Sequence, residues 1–283
     1  MTTPEAGDAS QTETPSASGR LGAPAMAAEV ATGEARALAG DPARGDDGLP
    51  QSPHLPEPEA PGGEALTPDQ VREAFYRVVR SRRDVRAEYT GSPVDEVVLR
   101  RVLAAAHAAP SVGNTQPWDF VVVRDQQRLA RFAEHVAQCR HRFAESLPPE
   151  RRATFDPIKI DGVVESGTGV VVTYDPTRGG PHVLGRQSID DAGLFSAVLS
   201  IANLWLAATA EGLGVGWVSF YQEEFLARFV GLDPGRTVRP IAWLCIGPVT
   251  RLQEVPDLVR HGWRGSRPLE AAIHSERLCP GTV

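Results

Sequence analysis

The chain has 283 residues, 41% hydrophobic and 23% charged, with a formal net charge of −7. This is the usage of an ordinary folded protein of one large or two small domains, and it excludes a general nucleic-acid binder, which carries a strong basic excess. No uninterrupted apolar run reaches the roughly 20 residues of a membrane helix, no secretory leader is evident, and Cys139, Cys245 and Cys279 are too scattered for a disulfide framework or thiolate metal site, so a cytoplasmic protein without membrane or nucleic-acid partners is expected.

Residues 1–66 are rich in Ala, Pro, Gly, Ser and acids and contain no aromatic residue. Such a segment cannot bury enough apolar surface to offset its ordering entropy, and it reads as a disordered tail ahead of one domain over 67–283. Order starts at Thr67-Pro68-Asp69-Gln70, a capping-box signature with proline at the first helical position. Val71, Phe75 and Val78 then recur at helical spacing as far as Ser81. A second helix is expected to open at Ser92-Pro93-Val94-Asp95, carry Val98, Val102 and Ala106 on one face, and stop before Pro110. Asp119–Val123 reads as a strand, Gln126–Glu145 as a helix and Val170–Tyr174 as a buried strand. A largely apolar helix spans about Asp191 to Glu211 and ends at Gly212. A strand over Val215–Phe220, a short helix over Gln222–Val230 and a buried strand over Ile241–Ile246 complete the pattern. Helices and strands do not alternate strictly, which favours an α+β layered fold, a mixed central sheet flanked by helices, over a doubly wound parallel sheet.

Three segments are candidates for chemistry. Arg82-Arg83-Asp84-Val85-Arg86 sets three guanidiniums around one acid at a helix end. Guanidinium forks suit phosphate, but cations at a helix C-terminus are also ordinary, and an acid among arginines serves a salt bridge as well as proton transfer. Ser111 to Trp118, with Asn114, Thr115 and Gln116, offers the donors and acceptors that bind a sugar alcohol or a heterocycle edge, or else forms a capped turn anchored by Trp118. Thr177–Arg186 is a Gly/Pro-dense loop, expected to be mobile, whose arginines and His182 could touch a substrate. Gly212-Leu-Gly-Val-Gly-Trp217 is not a dinucleotide fingerprint, because it leads from a helix into a strand. Ser219 is a lone hydroxyl in an apolar stretch, His107 reads as a satisfied helix histidine, and no His spacing suits a metal.

The arginine run, the Ala109-Pro110-Ser111…Gln116-Pro117-Trp118 loop, Asn203–Ala208 and Gly214–Ser219 together resemble the nitroreductase-type flavoproteins. The Thr177–Arg186 loop and Ala242–Arg251 narrow the resemblance to the 5,6-dimethylbenzimidazole synthases within them, over Thr67 to about Leu269. The resemblance implies an α+β homodimer with FMN in clefts at the dimer interface. It implies oxygen-dependent fragmentation of reduced FMN to 5,6-dimethylbenzimidazole and erythrose 4-phosphate, for the lower ligand of cobalamin. It leaves open whether the flavin is reduced on this protein or delivered by a separate flavin reductase, in which case NAD(P)H enters indirectly. The flavin-contacting positions it implies are Arg82, Arg83, Asp84, Val85, Arg86, Ser111, Asn114, Gln116, Ser219 and Arg251, with Asp84 and Ser219 catalytic. Asn114-Thr115 stands where the synthases often carry bulky apolar residues and is similar to ordinary nitroreductases, so an NAD(P)H-dependent FMN oxidoreductase or dehalogenase that keeps its flavin is the alternative enzyme. A non-catalytic flavin- or partner-binding module, working through the tail, is the alternative outside enzymes.

Overall fold

The computed structural model describes residues 66–278. The expected tail lies outside them except for Leu66, as does Cys279. Helix α1 (Pro68–Ser81) begins as its sequence predicts: Thr67 Oγ1 accepts from the Gln70 N–H and Gln70 Oε1 accepts from the Thr67 N–H. Its apolar residues find little cover within the chain, and Val71, Phe75 and Tyr76 stay half exposed.

Helix α2 (Glu96–His107) starts at Asp95 rather than Ser92. Asp95 Oδ1 accepts from the Val97 and Val98 N–H groups, while Val94 is buried and donates its N–H to Thr168 Oγ1. That long-range bond ties Val94 to the Thr168 segment ahead of the helix. The buried face is Leu99, Val102 and Ala106, with Val98 only partly covered.

Strands β1 (Trp118–Val123), β2 (Gly169–Tyr174), β3 (Leu213–Val218) and β4 (Arg239–Pro248) form one sheet in the order β1-β2-β4-β3, each neighbouring pair antiparallel. Its parallel component is the isolated bridge Asp84–Val215, so the sheet is mixed only where the arginine run docks on β3. The central strands are covered on both faces. Val170, Val172, Ala242 and Leu244 pack with α2 and α5 (Ala192–Ala210). Val171, Trp243 and Cys245 pack on the opposite side with α3 (Gln126–Glu145) and α6 (Glu223–Phe229), where Phe132 stacks on Trp243 with ring centroids 3.7 Å apart. Aliphatic and aromatic area removed from water in these two layers, at about 25 cal/mol per Å², is the main favourable contribution to folding.

Helix α5 is long and apolar enough to cross a membrane, yet Ala197, Ile201, Leu204 and Ala208 are buried in the core. Two short helices that the sequence reading does not contain, α4 (Pro149–Phe155) and α7 (Asp257–Arg260), form beside the cleft described next.

Candidate active site

Downstream of α1 the chain runs along the free edge of β3. The Val85 N–H donates to Val215 O at 2.9 Å, and the Trp217 N–H donates to Asp84 Oδ1 at 3.1 Å. The second of these puts a carboxylate oxygen where a neighbouring strand would offer a carbonyl. Val85 itself is buried, and its carbonyl accepts from the Tyr89 hydroxyl, so it docks the run on the sheet. Gly214 and Gly216 make this approach possible: a Cβ on Gly216 would lie 2.2 Å from Val85 O. The glycines that look like a dinucleotide signature thus serve backbone proximity.

The three guanidiniums of the run do not converge. Arg83 donates to Arg80 O, Arg82 O and Glu254 O at 2.6–2.8 Å, all main-chain acceptors. Arg86 donates to Asp84 Oδ2 and to Trp217 O, each at 2.6 Å. Arg82 lies over the Trp205 ring, 5.0 Å from its centroid, and the Trp205 indole N–H donates to Arg83 O. Among the described residues neither the Arg82 nor the exposed Arg251 guanidinium has an ion pair, which leaves these two free for an anion.

Asp84 and Ser219 face one cavity of about 400 Å³. Its polar side also carries Arg86, Lys159 and Asp257; its apolar side is Phe143, Phe155, Phe220 and Trp263. The rings brace one another, with Phe143 5.0 Å from Phe155 and 5.4 Å from Phe220. Burial raises the Asp84 carboxyl from its ordinary value, against the opposing pull of Arg86, the Trp217 N–H and Arg82. The sequence reading passes over this aromatic wall. Pro149 at the first helical position was the available signal for α4, which supplies Phe155.

Ser111, Asn114 and Gln116 lie elsewhere. Ser111 Oγ accepts from the Gln116 N–H, the Gln116 amide donates to His107 O, and the Val112 N–H donates to Ser196 Oγ near the start of α5. His107 Nδ1 accepts from the Trp118 indole, the satisfied helix histidine expected. Asn114 and Gln116 have positive φ of 53° and 44°. The Thr177–Arg186 loop packs here too. Arg178 pairs with Asp119 and donates to Trp118 O, and Arg186 donates to Pro176 O and Arg178 O, so both arginines hold main chain and Arg178 a neighbouring acid as well. From Ser196 to Trp205 along α5 is about 14 Å, and β1 and β3 occupy opposite sheet edges, three spacings or about 14 Å apart. One chain therefore carries two separated groups, one on Arg82–Arg86 and Ser219, the other on Ser111–Gln116.

A sheet between helical layers, with an acid and a hydroxyl facing a cleft at its edge, is the build of an α+β enzyme. The family model described as Nitroreductase family matches residues 79–248, and the chain belongs to that family of oxidoreductases. It is 36% identical to the 5,6-dimethylbenzimidazole synthase of Rhodospirillum rubrum, over 70% of this chain and 92% of that one. To the 5,6-dimethylbenzimidazole synthase of Rhodobacter capsulatus it is 34% identical, over 70% and 95% respectively. The solved structure of iodotyrosine deiodinase bound to FMN and 3-iodo-L-tyrosine superimposes with a TM-score of 0.55 at 18% identity, covering 72% of this chain and 100% of that one, a likeness of fold.

Proposed function

We propose that the protein fragments reduced FMN with molecular oxygen, releasing 5,6-dimethylbenzimidazole and erythrose 4-phosphate, with the pyrimidine portion of the ring leaving as a separate oxidised fragment, and so supplies the lower ligand of cobalamin. The observation that carries the reading is the pairing of Asp84 with Ser219 in one aromatic-walled cavity, with the proton affinity of Asp84 raised. A general base works best with a pKa lifted toward the working pH. The names of the relatives over nearly their full length support the same reaction.

The chain's donor set suits FMN. A cavity of about 400 Å³ lined by five aromatic residues suits a tricyclic ring, and Arg82 and Arg251, without an ion pair among the described residues, suit its phosphate. Reduced FMN is consumed as substrate, and oxygen supplies the oxidising equivalents. Asp84 removes a proton from the ribityl carbon attached to the ring, while Ser219 hydrogen-bonds the ring near its central nitrogens and aims it. Ser111, Asn114 and Gln116 contact the ribityl chain or ring edge from a second copy of the chain, since they lie too far from Asp84 within one. A homodimer also accounts for the exposed apolar stripe of α1 and for Phe195 and Leu199 on α5. Cys139 and Cys245 are free thiols, which suits a cytoplasmic enzyme fed by a separate flavin reductase.

The test is to supply reduced FMN and oxygen and follow products by mass spectrometry. Formation of 5,6-dimethylbenzimidazole supports the reading. Quantitative recovery of intact flavin under NAD(P)H-driven turnover would replace it with the oxidoreductase reading, which Asn114-Thr115 favours. Deleting residues 1–66 is expected to leave product formation intact; loss of activity would place the tail in the working part of the molecule.

A further inference from the structure

Arg86 is built into the protein differently from its neighbours in the run. Its side chain is only 13% exposed, and Nη1 is buried with no acceptor among the described residues. Nη1 sits against the bare α-carbon of Gly216, 2.8 Å from where a Cβ would stand. Its Nη2 spans Asp84 Oδ2 and Trp217 O, so one nitrogen ties the carboxylate to the sheet edge. The other carboxylate oxygen accepts from the Trp217 N–H. Each oxygen of Asp84 thus has one fixed donor, which sets the plane of the carboxylate and leaves its remaining lone pairs to the cavity. Asp84 is 45% exposed at its side chain, whereas the Arg86 side chain is largely covered and only borders the cavity. A fork held this way has little left to present to a phosphate, whose recognition needs two outward N–H groups in one plane.

We infer that Arg86 is a positioning residue for Asp84, fixing the orientation and the ionised form of the acid, and is not a phosphate ligand. The inference rests on the reading of Asp84 as the base of the reaction. Other charged and titratable groups surround this pair. Arg82 acts on Asp84, Lys159 and Asp257 line the same cavity, Arg83, Glu88, Arg260 and His261 line a second cleft that both residues border, and Asp161, Tyr89 and Cys245 lie within electrostatic reach of Arg86. Arg86 is the one cation among them in hydrogen-bond contact with the carboxylate. An opposite charge at this range lowers a carboxylate pKa by about 1–3 units, so removing it moves the Asp84 titration up by about one unit or more.

The experiment compares R86Q and R86K with wild type, each alone and combined with D84N. FMN and riboflavin affinities are read from flavin fluorescence quenching, and the Asp84 titration from carboxyl-labelled aspartate by NMR, assigned through D84N. The ratio of FMN to riboflavin affinity is expected to stay within about twofold of wild type. The Asp84 titration is expected to move up in R86Q and by a smaller amount in R86K. A tenfold fall in FMN affinity with riboflavin binding unchanged would make Arg86 a phosphate ligand and overturn the inference, as would an unmoved Asp84 titration. R86K keeps the buried charge and carries the same measurements if R86Q does not fold. Wild-type protein that binds flavin and shows the titration shift but yields no benzimidazole refutes the proposed reaction while leaving the Arg86–Asp84 arrangement standing.

Discussion

Gly216→Ala is the sharpest perturbation of the docking that builds the site. Ala in place of Gly within a strand ordinarily stabilises a protein by about 0.5–1 kcal/mol, since the unfolded chain loses freedom. Here the added Cβ would stand 2.2 Å from Val85 O and 2.8 Å from Arg86 Nη1. Val85 O must retreat by roughly 1 Å to restore an ordinary contact, yet the Val85 N–H is bonded to Val215 O at 2.9 Å and the side chain is buried. Overpacking of about 1–3 kcal/mol and loss of a bridging hydrogen bond of about 1 kcal/mol put the cost at about 2–4 kcal/mol. For a folded domain of this size that lowers Tm by about 5–15 °C in a thermal melt followed by circular dichroism. Gly214→Ala is the control, because its Cβ meets Val249 and Val85 methyl groups at 2.5 and 3.0 Å rather than a carbonyl oxygen. Its cost should be the smaller of the two. A G216A protein that melts within 2 °C of wild type or above it would falsify the close approach of the arginine run to β3.

Asp84→Asn should abolish benzimidazole formation while FMN binding persists; unchanged turnover removes Asp84 from the chemistry. Because burial raises the folded-state pKa of Asp84, its ionisation opposes folding: wild type loses stability relative to D84N as pH rises from about 3.9 through the folded value, and the deficit is complete above it. Paired melts between about pH 4 and 8 read this directly, and a pH-independent gap between the two proteins contradicts it. Phe132→Ala removes a fully buried ring stacked on Trp243 and should cost about 3–5 kcal/mol in denaturant unfolding, whereas a loss under 1 kcal/mol would mean the layer repacks. Phe75→Glu on the exposed stripe of α1 should shift sedimentation from dimer to monomer and lower flavin affinity in parallel; an unchanged dimer moves the interface elsewhere.

Elements whose causes are local were legible in the sequence. The reciprocal cap at Thr67 and Gln70 and the full extent of α3 appear where their residues place them. The misplacements have long-range causes. Ser92-Pro93-Val94 carries helix-start chemistry, but the Thr168 hydroxyl and the core claim Val94 first. The strand β3 begins two residues early, at Leu213, because Gly214 and Gly216, poor strand formers on their own, pair fully with β4. The helices α4 and α7, of seven and four residues, are too short to leave a periodic signal.

The arginine run shows the same division within the site. Its composition announced a cluster of cations around one acid, whereas in the fold the guanidiniums part and among the described residues Arg86 is the one that bonds the acid. What each guanidinium does depends on acceptors far away in sequence: Arg83 is engaged by Glu254 O across 171 residues and Arg86 by Trp217 O across 131. No reading of five consecutive residues could apportion those bonds. Two of three arginines are occupied in holding backbone and carboxylate in place, which leaves Arg82 alone in the run without such a bond among the described residues. The cluster is thereby less an anion trap than a frame: Arg83 holds main chain, Arg86 fixes the plane of one carboxylate beside an aromatic-walled cavity, and the proposed reaction rests on that orientation.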